Sequence, residues 1–157
     1  MKATEFDEGR FFAAIAASDC RALLIGRRAL IALGLPVVTS DYDFWIHIDD
    51  AAAFNAAVAE FGLVPTCAPE QARAQGRYTL ENDEHVDVLV ARAVGTIDGH
   101  LVAFEDVWVR RVALEVAPGI TCAVPSLDDL ISTKRFGARP RDADDIRMLE
   151  RLRRSRP

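Results

Sequence analysis

The chain is 157 residues long, carries a formal net charge of −5 and is 50% apolar. This length suits one domain, and the apolar share is too high for a disordered chain. No apolar stretch approaches the ~20 residues needed to span a bilayer, so the sequence argues against a membrane protein. The acidic balance also argues against a general nucleic-acid binder, although the residues from 135 to 154 are rich in arginine.

The first sixty residues alternate between helical and strand patterns. Periodicity and turn residues predict helices at 11–18, 27–34 and 51–62, with strands at 22–26 and 41–48. Gly34 and Gly62 end the second and third helices. Together these segments predict a helix followed by two strand–helix units.

The second half is richer in strands and closes with two helices. Alternating apolar residues predict strands at 77–81, 85–91, 108–116 and 120–124. Ser126 opens a predicted helix in a near capping box with Asp129, and Asp142 starts the last helix. We expect Arg73 and Arg77 in a polar loop before the first of these strands; they could face a nucleic acid or have no such role.

This order of elements predicts an α+β fold with a mixed sheet and helices packed mainly on one face. We expect a single domain at 1–157, with an N-terminal helix within 1–20 and C-terminal helices within 126–154. Cys20, Cys67 and Cys122 are odd in number and far apart. That pattern fits reduced thiols in the cytoplasm rather than disulfides or a zinc site. The acidic first ten residues predict no signal peptide.

Two aspartates near the start of the strand at 41–48 are the strongest chemical signal. Asp41 and Asp43 are two residues apart, so their side chains point to the same face of that strand. Paired carboxylates repel each other unless a cation neutralises them, and Mg²⁺ prefers such hard oxygen ligands. Asp87, opposite the valines of the strand at 85–91, would add a third carboxylate if the two strands are neighbours. Three carboxylates can hold two metal ions for in-line attack on phosphorus.

A purely structural interpretation of these residues is also open. A strand aspartate usually just faces solvent, but Asp-x-Asp beside the apolar run at 44–46 is unusual for a buried strand. Trp45 shares the aspartate face and could stack on a base, although core packing is the commoner role. His47 and His85 fall on the carboxylate faces and could bind metal, but a lone strand histidine is more often structural.

The segment LIGRRALIALGLPVVTSDYDFWI resembles the signature of the DNA polymerase beta-like nucleotidyltransferase superfamily. In that family a strand ends in Gly-Gly or Gly-Ser, a helix follows, and the next strand carries Asp-x-Asp. The resemblance implies that Gly26 and Thr39 belong to the nucleotide site. It also implies that Asp41, Asp43 and Asp87 are the catalytic metal ligands.

The segment VPSLDDLISTKRFGARPRDADDI resembles a second element of minimal bacterial nucleotidyltransferases, including the toxins of some toxin–antitoxin pairs. The resemblance spans about residues 22–149. It implies that Lys134 is a catalytic residue that contacts the triphosphate and that Arg139 helps to bind the nucleotide. The alternative is a lysine without a catalytic role, whose stem packs along the helix while its ammonium group stays in water. Asp142 and Asp145 could orient Lys134, or form a helix cap with a surface ion pair, which we favour for Asp145.

Two residues depart from the family pattern. Arg27 stands where the second glycine or serine of the phosphate loop is expected, and it could bind phosphate or block the site. Val37 stands where an arginine is often found. Both changes put ordinary catalysis in question while leaving the three carboxylates in place.

The resemblance implies a Mg²⁺-dependent transferase that moves a nucleoside monophosphate from a nucleoside triphosphate to a hydroxyl acceptor, with two Mg²⁺ ions. Asp87 would help to activate the acceptor. RNA, tRNA, a protein or a small molecule could be the acceptor, with a homodimer or a cognate protein as partner and no membrane involved. The alternatives are a catalytically impaired relative that binds a nucleotide or a protein, and a metal-dependent nuclease.

Overall fold

The structure, a computed structural model, describes residues 5–137 and 139–156. The remaining residues of the predicted domain at 1–157 lie outside this described part. The helices are α1 Glu8–Ala17, α2 Gly26–Ala32, α3 Ala51–Val58 with a 3₁₀ turn at Ala59–Phe61, α4 Pro69–Gln75, α5 Phe104–Val109, α6 Leu127–Lys134 and α7 Pro140–Ser155. The strands are β1 Ala22–Ile25, β2 Asp41–Ile46, β3 Val64–Pro65, β4 Arg77–Glu81, β5 His85–Val90, β6 Ala93–Gly95, β7 Leu101–Ala103, β8 Val112–Ala117 and β9 Ile120–Val124.

A mixed five-stranded sheet forms the centre of the fold, in the order β1-β2-β5-β4-β3. The neighbours β2 and β5 are parallel, whereas the β1–β2, β5–β4 and β4–β3 pairs are antiparallel. Two further hairpins, β6–β7 and β8–β9, lie outside this sheet. This architecture confirms the predicted α+β class with a mixed sheet.

The main core covers one face of the sheet. Tyr42, Phe44 and Ile46 of β2 alternate with the aspartates and are buried there, together with the three valines of β5. Helix α1 packs on them through Phe11, whose ring centroid lies 5.1 Å from that of Tyr42. Because successive strand side chains alternate between faces, burying this apolar set turns the aspartates toward the other face.

A smaller apolar cluster covers only part of that other face. It consists of Leu23, Trp45, Phe104 and Val107. Trp45 is completely buried, and its Nε1–H donates to the carbonyl of Ala91 at 2.9 Å. The core-packing interpretation of Trp45 is therefore correct, and this tryptophan is not exposed for base stacking.

The segment at 104–117 differs from the prediction. The strand predicted at 108–116 starts only at Val112, because Trp108 belongs to helix α5. The rings of Phe104 and Trp108, one helical turn apart, stack at 5.9 Å, and the guanidinium of Arg111 covers the Trp108 ring at 4.0 Å. Alternating apolar residues at the helix end resembled a strand, but these ring contacts favour the helix.

The polar stretch that contains Arg73 also differs from the prediction. It forms α4, with Pro69 in the first turn and the left-handed Gly76 at its end. Arg73 lies on this helix and pairs with Asp49 at 2.9 Å, while Arg77 is the first residue of β4. A proline start and a glycine stop are ordinary helix signals, which the charged composition obscured.

The ends of α6 and α7 position the C-terminal residues of interest. The Ser126 hydroxyl accepts from the backbone N–H of Asp129 at 3.2 Å, as the predicted cap requires. Helix α7 begins at Pro140, two residues before the predicted start, and the Asp142 carboxylate accepts from the backbone N–H of Arg139 at 3.2 Å. Across residues 5–137 and 139–156, no helix is both long and apolar enough to cross a membrane.

Candidate active site

Asp43 and Asp87 lie directly beside each other on the neighbouring parallel strands β2 and β5. Asp41 is two residues earlier on β2 and stands beside His85. Adjacent strands are about 4.8 Å apart and paired residues point to the same face. The three positions therefore share the partly open face, with Asp43 and Asp87 adjacent and Asp41 two residues from Asp43 along β2.

Gly26 touches Asp43 at the point where β1 meets α2. Its φ of +70° is in the left-handed region, and a Cβ placed on it would lie 2.9 Å from both Cβ and Cγ of Asp43. Any residue larger than glycine would be strained here for two reasons. The left-handed backbone conformation disfavours a side chain, and a Cβ would overlap with the side chain of Asp43. The main chain at the end of β1 can therefore lie against the carboxylate.

Burial and charge repulsion both act on Asp43. Its burial, followed by the charges of Asp87 and Asp41, raises the pKa of Asp43 to about 6. The cations of Lys134 and Arg139 oppose this rise. An additional cation at this position would favour the ionised carboxylate, which is the electrostatic condition for a metal or substrate site.

His85 interacts with Asp87 rather than standing apart. Its Nε2 lies 3.1 Å from Asp87 Oδ1, and its Nδ1 lies 3.2 Å from Glu81 Oε1. Burial opposes the imidazolium form, but the hydrogen bond and charge of Asp87 outweigh it and raise the pKa of His85 above its ordinary value. The Asp87 carboxylate is 32% exposed and therefore still open to solvent.

Thr39 supports the start of β2. Its Oγ1 accepts from the backbone N–H of Asp41 at 3.1 Å, and the Arg28 side chain donates to the carbonyl of Asp41 at 3.2 Å. These two bonds fix the main chain next to the first aspartate. They give Thr39 a positioning role, whether or not it also meets a nucleotide.

Lys134, Arg27 and Asp145 form a buried ion cluster next to α2. Lys134 Nζ lies 2.8 Å from Asp145 Oδ2, and these side chains are 5% and 0% exposed. Arg27 donates to both oxygens of Asp145 at 3.2 and 3.3 Å, and to the carbonyl of Val38 at 3.3 Å. The favoured surface ion pair for Asp145 is therefore wrong, because its carboxylate is shared by two cations inside the protein.

The hydrogen bonds of this cluster fix the orientation of the Arg27 side chain. Its guanidinium is held by α7 and the loop before β2 rather than extending freely from the end of β1. Burial works against the Asp145 carboxylate, but the hydrogen bonds from Lys134 and Arg27 hold the pKa of Asp145 below its ordinary value. One carboxylate and two cations leave a net positive charge beside Gly26.

A cavity of about 510 Å³ opens on the carboxylate face. Its lining residues are Ile25, Asp43, Phe44, Arg77, Tyr78, Asp87, Val88, Leu89, Val94, Phe136, Gly137 and Arg139. Arg139, which is 59% exposed, reaches it from the α6–α7 connection while pairing with Asp142 at 3.1 Å. The cavity thus joins two of the three predicted carboxylates to a predicted nucleotide-binding arginine.

A larger cavity lies elsewhere in the molecule. It has a volume of about 710 Å³ and borders Cys20, Arg21, Trp108 and Cys122, at the opposite end of β1 from Gly26. Burial raises the pKa of Cys20 to about 12 and that of Cys122 to about 11, so neither thiol is activated. We favour the smaller cavity because it holds the carboxylates.

A solved structure shares this arrangement of elements. The crystal structure of a Thermotoga maritima protein, described as a candidate nucleotidyltransferase, matches 92% of this chain and 87% of its own with a TM-score of 0.57. The chain has the nucleotidyltransferase fold. The two sequences are only 15% identical, so this likeness concerns the fold alone.

The other two comparisons found nothing for this chain. No protein-family model matches it, and no curated protein matches it. The roles of the individual residues in this nucleotidyltransferase fold must therefore be argued from the geometry of the chain itself.

The residues at the carboxylate face fit a magnesium site in composition. Within the described part of the chain, no three His, Cys, Asp or Glu side chains are already close enough together to hold a metal ion. The pair Asp43 and Asp87 nevertheless faces one cavity, and Mg²⁺ commonly takes one or two carboxylates with substrate phosphates and waters as its other ligands. Such a site is completed by its substrate.

Phe136 was not named from the sequence, and Arg77 was named only as a residue that could face a nucleic acid, without being placed at the carboxylates. Arg77 and Phe136 line the cavity, yet neither belongs to the motifs of the nucleotidyltransferase family. The alternation of the strand at 77–81 places Arg77 opposite the buried Tyr78 and so on the carboxylate face, which is the one signal that could have identified it.

Proposed function

We propose that the chain is a metal-dependent nucleotidyltransferase that moves a nucleoside monophosphate from a nucleoside triphosphate to a hydroxyl acceptor. The observation that carries this proposal is the alignment of Asp43 with Asp87, with the main chain of Gly26 against Asp43. Two carboxylates on one face, a close main chain and a nearby cation cluster together suit a polyphosphate and its metal ions.

In this proposal each charged residue has a defined role. Asp43 and Asp87 would hold Mg²⁺, with Asp41 as the third carboxylate, and Lys134 would balance charge on the triphosphate. Mg²⁺, when bound, supplies neutralisation of the phosphate charge and a template for the two reactants. Asp87, whose side chain is 32% exposed, faces the acceptor and accepts the hydroxyl proton.

The step conserves atoms and charge. The acceptor oxygen forms a bond to the α-phosphorus, the bond between that phosphorus and the bridging oxygen breaks, and pyrophosphate leaves. The hydroxyl proton passes to the Asp87 carboxylate. Because the protein forms no covalent intermediate, its contribution is positioning and charge stabilisation.

Transfer of a labelled nucleotide tests this proposal. Protein incubated with Mg²⁺, α-labelled nucleoside triphosphates and a set of RNA, tRNA, protein and small-molecule acceptors should give a labelled product that EDTA abolishes. Asp43→Asn and Asp87→Asn should each lower the rate at least about 100-fold. Asp98→Asn, in the exposed turn between β6 and β7, should match the wild type. Full activity in both site variants would refute the assignment.

A second candidate is a protein of this fold that binds a nucleotide or a protein partner without turnover. The ion cluster favours it, because Lys134 and Arg27 are both bound to Asp145 and Lys134 is almost completely buried. Calorimetry separates the two candidates. If nucleoside triphosphate binding releases heat but no product forms after long incubation, the non-catalytic candidate is supported. Formation of product supports the transferase.

We expect the protein in the cytoplasm, where nucleoside triphosphates and Mg²⁺ are available. We expect the acceptor to be selected either by a homodimer or together with a cognate protein. Light scattering of the purified protein, and co-purification from its native host, measure these two alternatives.

A further inference from the structure

Arg77 stands on the carboxylate face, on the side away from Gly26. In the β4–β5 register, Thr79 lies beside Asp87 and Arg77 lies beside Leu89. Because Arg77 and Thr79 are two residues apart, both side chains point to the face of Asp87. The Cα atoms of Arg77 and Asp87 are then about 8 Å apart, from strand spacing and rise, which an arginine side chain can span.

The cations around the cavity differ in whether a carboxylate already holds them. Arg139 pairs with Asp142, and Lys134 pairs with Asp145. Among the described residues, no hydrogen bond or ion pair is formed by the side chain of Arg77, which is exposed and lines the same cavity as Asp43 and Asp87. Its charge is therefore available to a ligand.

The strand order separates two cationic regions across the carboxylates. Lys134 and Arg27 meet next to Gly26, at the end of β1, whereas Arg77 is on β4. With strands about 4.8 Å apart, β4 lies roughly 14 Å from β1, and β2 and β5 with their aspartates lie between them. A triphosphate held beside Gly26 leaves Arg77 on the far side of the reacting phosphorus.

The separation of the two cationic regions matches the geometry that in-line phosphoryl transfer requires. The attacking hydroxyl and the leaving pyrophosphate must lie on opposite sides of the transferred phosphorus. If pyrophosphate leaves toward Gly26 and Lys134, the acceptor approaches from β5 and β4. Arg77 consequently borders the acceptor and not the nucleoside triphosphate.

We propose that Arg77 binds a phosphate of the acceptor, and that the acceptor is a nucleotide end whose free ribose hydroxyl reaches Asp87. This inference rests on the proposed nucleotidyltransferase function. Arginine matches phosphate with two parallel hydrogen bonds. The acceptor oxygen bonds to the α-phosphorus of the triphosphate, pyrophosphate is released, and the acceptor phosphate bound by Arg77 remains unchanged.

The remainder of the cavity suits the base of such an acceptor. Leu89, Val94 and Phe136 supply apolar lining to the same cavity. The volume of about 510 Å³ suits one or two nucleotide units rather than a long strand. The net charge of −5 agrees with this short footprint, because an extended track of phosphates would be repelled by the rest of the surface.

Binding of a short oligonucleotide tests this inference without relying on turnover. A fluorescent oligoribonucleotide with a free 3′ hydroxyl is titrated with wild type, Arg77→Gln and Arg73→Gln, and anisotropy gives each dissociation constant in Mg²⁺. Arg73→Gln is the control, since Arg73 is exposed on α4 outside the cavity. We expect Arg77→Gln to weaken binding about tenfold or more, whereas Arg73→Gln should match the wild type. The slope of log affinity against log salt concentration should be smaller in magnitude by about 1 for Arg77→Gln.

Three further arms identify the ligand chemistry. A free nucleoside 5′-monophosphate should compete for the site, the corresponding nucleoside without phosphate should not, and Arg77→Lys should restore part of the affinity. Equal affinity of Arg77→Gln and wild type overturns the inference. The inference is also overturned if the nucleoside competes as strongly as the monophosphate. It is overturned as well if the protein labels a protein acceptor and Arg77→Gln labels that acceptor equally.

Failure of the inference and failure of the proposed function give different results. Oligonucleotide binding that depends on Arg77, without nucleotide transfer to any acceptor, refutes the transferase and leaves the phosphate site. Transfer that needs Asp43 and Asp87 but is indifferent to Arg77 leaves the transferase and refutes the phosphate site.

Discussion

Lys134 and Asp145 form an ion pair of 2.8 Å with both side chains almost completely buried. A buried carboxylate is tolerated only when its partners compensate the lost hydration, and here Arg27 adds two further hydrogen bonds. The pair fastens α6 to α7 and places a cation near Asp43. Stability and the proposed phosphate site therefore depend on the same carboxylate.

Removal of this carboxylate should be costly. Asp145→Asn leaves Lys134 and Arg27 together without a counter-charge, so we expect a loss of about 3–5 kcal/mol in the free energy of unfolding. Asp144→Asn, an exposed position on the same helix, should change it by less than about 0.5 kcal/mol. Urea unfolding measures both. The double variant Arg27→Gln, Asp145→Asn restores the charge balance and should recover part of the loss, and a double variant no more stable than Asp145→Asn would contradict this account.

The same carboxylate predicts a pH dependence of stability. Its hydrogen bonds hold the pKa of Asp145 below the ordinary value, so its contribution is present above the unfolded-state pKa of about 4 and is lost as pH falls through the folded-state pKa. The wild type should lose stability below about pH 4 more steeply than Asp145→Asn. Thermal unfolding between pH 2 and pH 7 measures this, and parallel curves for the two proteins would argue against it.

Asp43 should show the opposite behaviour. Burial and the neighbouring aspartates raise its pKa to about 6, so its ionised form costs stability at higher pH, and this cost disappears as pH falls below about 4. Asp43→Asn should raise the free energy of unfolding by on the order of 1–2 kcal/mol at pH 8 without metal, and by little at pH 4. Urea titrations at the two pH values test this. A variant less stable than the wild type at pH 8 would mean that the carboxylate is not repelled.

Gly26 offers a test of the close approach to Asp43. Gly26→Ala adds both a left-handed backbone penalty and an overlap with the Asp43 side chain, so we expect a loss of about 3 kcal/mol or more. Gly99→Ala is a matched control, because Gly99 has a φ of +88° and nothing within 4 Å of the added Cβ; it should lose only about 1 kcal/mol. Similar losses at both positions would show that the contact with Asp43 carries no strain.

Much of the carboxylate face was predictable because it depends on strand alternation. The apolar residues of β2 and β5 place Asp43 and Asp87 on one face once the two strands are neighbours, and the register confirms that proximity. Alternation placed Trp45 on the same face as the aspartates, and its burial was predicted only because core packing is the commoner role of a tryptophan. The catalytic roles of Asp41, Asp43, Asp87, Lys134 and Arg139 stay predictions.

The errors arose where a contact distant in sequence decides the outcome. Asp145 is polar and lies in a charged helix, so its burial could not be inferred without knowing that Arg27, 118 residues away, would reach it. Trp108 was assigned to a strand because its packing on Phe104 is invisible to a period-two pattern. For Arg77 the sequence left a nucleic-acid contact and no role equally open, because its position beside the cavity depends on the pairing of β4 with β5.

Diffraction from crystals soaked with Mn²⁺ and a non-hydrolysable nucleoside triphosphate tests the central claim most directly, because anomalous scattering locates the metal ion independently. The account predicts an anomalous peak bound by carboxylate oxygens of Asp43 and Asp87 and by phosphate oxygens, with the triphosphate beside Gly26. A peak elsewhere, or a nucleotide bound in the cavity without any metal at these two aspartates, would contradict it.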